Sequence, residues 1–215
     1  DLEVKGKSSQ GNILSKYPVK RVSFKKAGAS TLGARKIWYD DSVGRLNSDE
    51  NGRLIGKFGS DDLIIAVYNT GEYELTDQEL THKFDPKQLM HIGKFNPEEV
   101  LSAIYLDGKT KHYFLKRFKV ETSTQGKKFN FISEEKGSEL VYITNTASPE
   151  VEITHKEKGN KHEIQVLELS EMESIKGWKS VGLKMAMASI IKVRLLSDGT
   201  ESEEEAERRK QMELF

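Results

Sequence analysis

The chain has 215 residues, 36% hydrophobic and 32% charged, with a mean hydropathy of −0.61. That suffices for one or two packed domains, and no apolar run approaches the roughly 20 residues a spanning helix needs. The absence of cysteine excludes disulfide frameworks, thiolate metal sites and cysteine nucleophiles, and the formal net charge of zero hides a segregation: nine Lys/Arg against two acids in residues 1–36, six against fourteen in 37–107, and eight against three in 108–136.

The first residues, Asp1-Leu2-Glu3-Val4, offer no initiator Met, basic n-region or apolar h-region, so the chain is expected to be a piece of a longer protein. Lys5-Gly6-Lys7-Ser8-Ser9-Gln10-Gly11 then forms a cationic glycine loop, and its pattern returns as Lys176-Gly177-Trp178-Lys179-Ser180-Val181-Gly182. Glycines let the backbone turn sharply and approach a partner, and lysines beside exposed amides suit phosphate. Taken singly, either stretch is equally an ordinary surface turn; its recurrence points to a repeat fold.

Lys16 to Phe24 alternates as a strand, with Pro18 keeping it at an edge. Four hairpins are predicted next: Lys36–Tyr39 with Gly44–Leu46, Leu63–Tyr68 with Glu72–Leu75, Leu101–Tyr105 with His112–Leu115, and Leu140–Ile143 with Val151–Thr154. β-Branched and aromatic runs around Gly/Asn/Asp turns carry that expectation. Tyr68, Leu106 and Thr144 would end first strands at a constant spacing, as in a propeller-like array. Thr76–Leu80 and Asn96–Val100 read as single helical turns, and Gly126–Ile132 and His162–Leu169 as further strands. Domain organisation is expected as a β-domain over 1–196 and a charged tail over 197–215, helical or disordered, where Glu204 and Glu205 precede Arg208 and Arg209 at helical spacing.

None of the five histidines falls in an H-x₃-H or H-E-x-x-H pattern, so no metal site is expected. Nucleophile-elbow and Walker sequences are also missing, and Asp40-Asp41 and Asp61-Asp62 read as solvated turns; no catalytic residue is expected.

Lys5–Leu14, Leu32-Gly33-Ala34-Arg35-Lys36-Ile37-Trp38-Tyr39-Asp40, Arg45-Leu46-Asn47, Phe114–Thr122 and Ile175–Lys179 together resemble the C-terminal domain of the A subunit of bacterial type IIA topoisomerases, most nearly the topoisomerase IV form of Bacteroides relatives. The resemblance implies an all-β fold, the β-pinwheel, with about four or more strand-exchanging blades. It implies a non-catalytic domain that binds and bends double-stranded DNA on a basic rim and presents a transport segment. Partners would be duplex DNA, the rest of the A subunit and the B subunit, with no membrane, in the bacterial cytoplasm at the nucleoid. No cofactor is expected in this domain, since ATP and Mg²⁺ would serve other parts of the parent enzyme, and none of the tyrosines here is expected to be the strand-transferring one. The Gln-Arg-Arg-Gly-Gly-Lys-Gly box of gyrase A domains is not matched, which argues against gyrase-type wrapping.

The expected DNA surface comprises Lys5, Lys7, Lys16, Lys20, Arg21, Lys25, Lys26, Arg35 and Lys36; then Lys109, Lys111, Lys116, Arg117, Lys119, Lys127 and Lys128; then Lys176, Lys179 and Lys184. The first two groups fall in the basic blocks and the third is a weaker closing patch in a charge-balanced stretch; all are cations suited to releasing counterions from phosphates. The competing expectation is a propeller-like protein-interaction scaffold without DNA binding, suggested by the acidic 37–107 block and the tail.

Overall fold

The computed structural model describes residues 7, 8, 10, 16–18, 34–156, 161–187 and 189–197. Two compact units are present, Asp1–Thr31 and Leu32–Phe215. In the first, Lys7–Ser8 form a turn and Lys16–Tyr17 a bend, all exposed. The remainder of the strand expected over 16–24, the loop at 25–30 and the tail beyond Ser197 lie outside the described residues.

Among the described residues the second unit holds four antiparallel sheets. The first holds β1 (Arg35–Asp40), β2 (Arg45–Asn47) and β3 (Arg53–Phe58) in the order β2-β1-β3. The second has β4 (Ile64–Tyr68), β5 (Glu72–Thr76) and β6 (Leu89–Lys94), extended by β9 (Lys128–Asn130), in the order β6-β4-β5-β9. The third is built from β7 (Val100–Leu106), β8 (Tyr113–Lys119), β10 (Glu139–Thr144) and β13 (Leu183–Lys184), ordered β10-β7-β8-β13. The fourth contains β11 (Glu150–Lys156), β12 (His162–Glu168) and β14 (Ser189–Ser197), ordered β12-β11-β14. Among the described residues a single four-residue helix, α1 (Leu169–Met172), is present.

Period-two alternation explains how the sheets pack. All five residues of β4 are buried because the strand is covered on both faces: Ile64, Ala66 and Tyr68 join Ile37, Tyr39 and Phe58 of the first sheet, while Ile65 and Val67 join Leu101, Ala103 and Tyr105 of the third. In the same way Ile104 and Leu115 of the third sheet meet Val151 and Ile153 of the fourth. The three cores therefore lie between successive sheets.

Strand exchange couples the sheets further. The outer edges of β2, β5 and β8 each receive a segment from the following unit, and the same hydrogen bond recurs three times. The amide of Phe84 donates to Gly44 O, that of Phe131 to Gly71 O and that of Met185 to Tyr113 O, each at 2.9 Å. Phe84, Phe131 and Met185 are all buried, and a buried side chain of that size contributes about 1.5–3 kcal/mol. The residues just before them, Lys83, Asn130 and Lys184, pair with Arg45, Glu72 and Phe114 on the edges they close.

The glycine pair of the 176–182 loop separates into two roles. Gly182 has φ +95°, and a Cβ there would lie 2.3 Å from Leu115 O, so only glycine lets the closing segment reach β8. Gly177 has nothing within 4 Å. Gly182→Ala should cost about 2–4 kcal/mol in urea unfolding and Gly177→Ala less than about 1 kcal/mol; equal losses would contradict this account of β13.

Three expectations need correction. Leu140–Ile143 and Val151–Thr154 do not form a hairpin: the first run belongs to β10 on the free edge of β7, and the second, in β11, pairs with β12 and β14. Thr144 accordingly ends a third strand rather than a first, and the constant 68, 106, 144 spacing marks no repeat. Neither helical turn forms. Asp77 Oδ1 accepts from the amide of Glu79 and Asn96 Oδ1 from that of Glu98, which satisfies the local amides in tight turns between strands.

Candidate nucleic-acid interface

The closing segments bring together part of the expected surface. Lys127 and Lys128 lie on and beside β9, and Lys176, Lys179 and Lys184 lie on or before β13; all five are exposed. Three of these ammonium groups are held over rings rather than against acids. Lys127 Nζ sits 5.3 Å from the Phe129 centroid, Lys128 Nζ 4.1 Å from that of Tyr68, and Lys179 Nζ 5.1 Å from that of Trp178. A ring orders the ammonium without cancelling its charge, leaving it able to meet a phosphate. Lys36 is arranged likewise, 5.7 Å from the Trp38 centroid on the first sheet.

Other candidates are partly neutralised. Lys176 pairs with Glu173 at 2.8 Å, Lys119 with Glu98 at 2.7 Å and Lys109 with Glu135 at 3.8 Å. Arg35 is exposed and donates to Gln78 O at 2.8 Å, while Lys111 is exposed in the β7–β8 turn. Lys7 and Lys16 are exposed in the first unit, and Lys5, Lys20, Arg21, Lys25 and Lys26 lie outside the described residues.

Lys116 and Arg117 are corrections. They are 1% and 7% exposed, so neither can lie against a polyanion, and both tie chain segments together. Lys116 Nζ donates to Phe131 O, to Trp178 O at 2.7 Å and to Ser180 O at 2.8 Å, and burial pushes its pKa down to about 8. Arg117 donates from Nε to Ser102 Oγ at 3.1 Å, from Nη1 to Ser170 O at 3.3 Å and Glu173 O at 3.4 Å, and from Nη2 to Ala147 O at 2.8 Å. Burial lowers its pKa as well, opposed by the charge of Glu168.

One exposed lysine was missed. Lys83 occupies on the first sheet the station of Lys184 on the third, one residue before the buried closing side chain. The parallel is visible in Lys83-Phe84 beside Lys184-Met185, but the acidic surroundings of Lys83 mask it.

Several acids of the 37–107 block are occupied in turns. Asp40 accepts from Ser42, Asp62 from the amide of Gly59 and Lys94, and Asp85 from Lys87 and Gln88. Asp107 is held down at about 2, first by the amide of Thr110 and then by the Ser133 and Thr110 hydroxyls. These carboxylates shape loops. Among the described residues no cluster of three or more His, Asp or Glu could hold a metal, and no helix is long and apolar enough to cross a membrane.

A family model described as "Topoisomerase C-terminal domain, Bacteroidota" matches residues 45–197. The crystal structure of the C-terminal domain of DNA topoisomerase IV superposes with a TM-score of 0.52 at 14% identity, over 75% of this chain and 60% of that one. This chain thus spans less than two thirds of that solved chain, and at such identity the likeness is one of fold. No curated protein matches. The strand-exchanging sheets are the blades of an all-β β-pinwheel, four of them in the described residues.

Proposed function

Because the chain belongs to the Bacteroidota topoisomerase C-terminal domain family, we propose that it binds double-stranded DNA along the closing strands of its blades, bends it, and presents it as a transport segment to the catalytic parts of a type IIA topoisomerase. As a topoisomerase C-terminal domain it is a non-catalytic part of that enzyme. Strand cleavage, ATP and Mg²⁺ belong in this reading to the rest of the A subunit and to the B subunit, at the bacterial nucleoid.

The observation that carries the proposal is the set of exposed ammonium groups on successive closing segments, held over Phe129, Tyr68 and Trp178 rather than against carboxylates. Lysines so placed exchange counterions with phosphates and read no base edges. Bending a site of about 20–30 bp costs on the order of a few kcal/mol, so contacts on more than one blade must act together. The turn-bound acids favour this reading over a protein scaffold.

The test is a mobility-shift titration of two unrelated duplexes over a range of salt. Both should bind within about threefold of each other, and log K should fall with log salt at a slope near −4, about one unit per lysine engaged. Binding insensitive to salt, or absent throughout, would overturn it.

A further inference from the structure

Between the second and third closing segments lies a cleft of about 560 Å³, a volume suited to a small ligand such as one nucleotide. One lip is formed by Lys128–Glu134 and the other by Trp178–Val181, with Tyr105 and Asp107 at the base. Phe129 and Trp178 meet edge to face at 6.1 Å and supply an aromatic wall. Lys179 borders it and Ser180 Oγ is buried there with no hydrogen-bond partner, whereas the ammonium of Lys128 lies over Tyr68 on the other face of the second sheet.

Lys116 makes this a built site. Its buried ammonium donates to Phe131 O on one lip and to Trp178 O and Ser180 O on the other, fixing the spacing between them. All three partners are neutral carbonyls, so a positive charge stands behind the cleft, whose lining also includes the carboxylates of Asp107, tied to Thr110, and of Glu134. An anion attached to a flat ring satisfies both features. In a paired duplex the base faces are already stacked, whereas an unpaired nucleotide has a free face.

We propose that this cleft binds one unpaired nucleotide of DNA, its base on the Trp178–Phe129 wall and its phosphate at Lys179. The inference rests on the DNA-binding reading and extends it from duplex backbone to locally melted or terminal strand. The chain has two tryptophans, so Trp38→Phe in the full chain leaves Trp178 as the sole indole reporter.

In that protein, 5′-phosphorylated oligo-dT and dTMP should each change Trp178 emission saturably and compete with one another. At equal phosphate concentration a blunt duplex of about 20–30 bp, which can meet Lys179 but has no free base face, should displace dTMP at least about tenfold less effectively than oligo-dT. Adding Lys179→Ala should weaken oligo-dT binding at least about fivefold, and hexaglutamate should not compete.

Several outcomes would overturn the proposal: no emission change with oligo-dT; response to dTMP alone, which defines a free-nucleotide site; displacement of dTMP by the blunt duplex as effective as by oligo-dT; or displacement by hexaglutamate as effective as by oligo-dT, which defines a general anion site. A protein that shifts no duplex yet binds oligo-dT through Trp178 would refute the duplex reading and leave this one standing.

Discussion

Arg117→Met is expected to destabilise the protein by about 3–5 kcal/mol, the largest loss for any single substitution on β8. The guanidinium satisfies carbonyls of Ala147, Ser170 and Glu173 and the hydroxyl of Ser102. Methionine replaces its volume but leaves several buried acceptors without a donor, each worth about 1–3 kcal/mol. Those acceptors lie on the β10–β11 link and in and just after α1, so the loss should loosen the junction between the third and fourth blades. Lys116→Met should cost somewhat less, about 2–4 kcal/mol, for the same reason at the cleft.

The two cations also separate by pH. The folded pKa of Lys116 is depressed to about 8 from 10.5, so between those values the unfolded chain binds the proton more tightly. Wild-type stability should therefore rise relative to Lys116→Met as pH goes from about 8 to about 10.5. Lys119→Met, on the half-exposed end of β8, should change stability by less than about 0.5 kcal/mol. Urea unfolding of the three variants checks the order, and losses below about 1 kcal/mol at Arg117 would contradict it.

What could be read from the sequence followed what alternation encodes. The hairpins β1–β2, β4–β5 and β7–β8 were legible because each joins two apolar runs through a short turn of fixed chemistry. The fourth hairpin was not. Asn145–Glu150 has the same turn composition whether the chain folds back or crosses to a new sheet, and what decides is the free edge of β7, a long-range demand. Strand exchange was hidden for the same reason: β13 is two residues long, and its place on β8 depends on Gly182 and Met185 fitting a partner distant in sequence.

The candidate surface divided along similar lines. A basic block identified Lys127 and Lys128, and the glycine-loop patch Lys179 and Lys184, all exposed on closing segments. Net charge could not distinguish them from Lys116 and Arg117, which sit in an equally basic run but fall where β8 is covered on both faces by neighbouring sheets. Lys83 was obscured by the acids of its own turn. Burial thus decides which members of a basic run face solvent, and burial is set by tertiary pairing.

The most direct measurement compares duplex affinity of the wild type with that of the quadruple reversal Lys127→Glu, Lys128→Glu, Lys179→Glu and Lys184→Glu at about 0.1 M salt. Four attractive contacts become repulsive, and the expected loss is at least about 100-fold, with the salt slope falling toward zero. Reversal of Lys57 and Lys87, exposed but off the closing strands, should cost less than about threefold. Thermal unfolding should confirm that both variants remain folded. Quadruple-variant affinity within about threefold of wild type, or equal weakening by the two sets, would contradict the assignment of DNA binding to the closing strands.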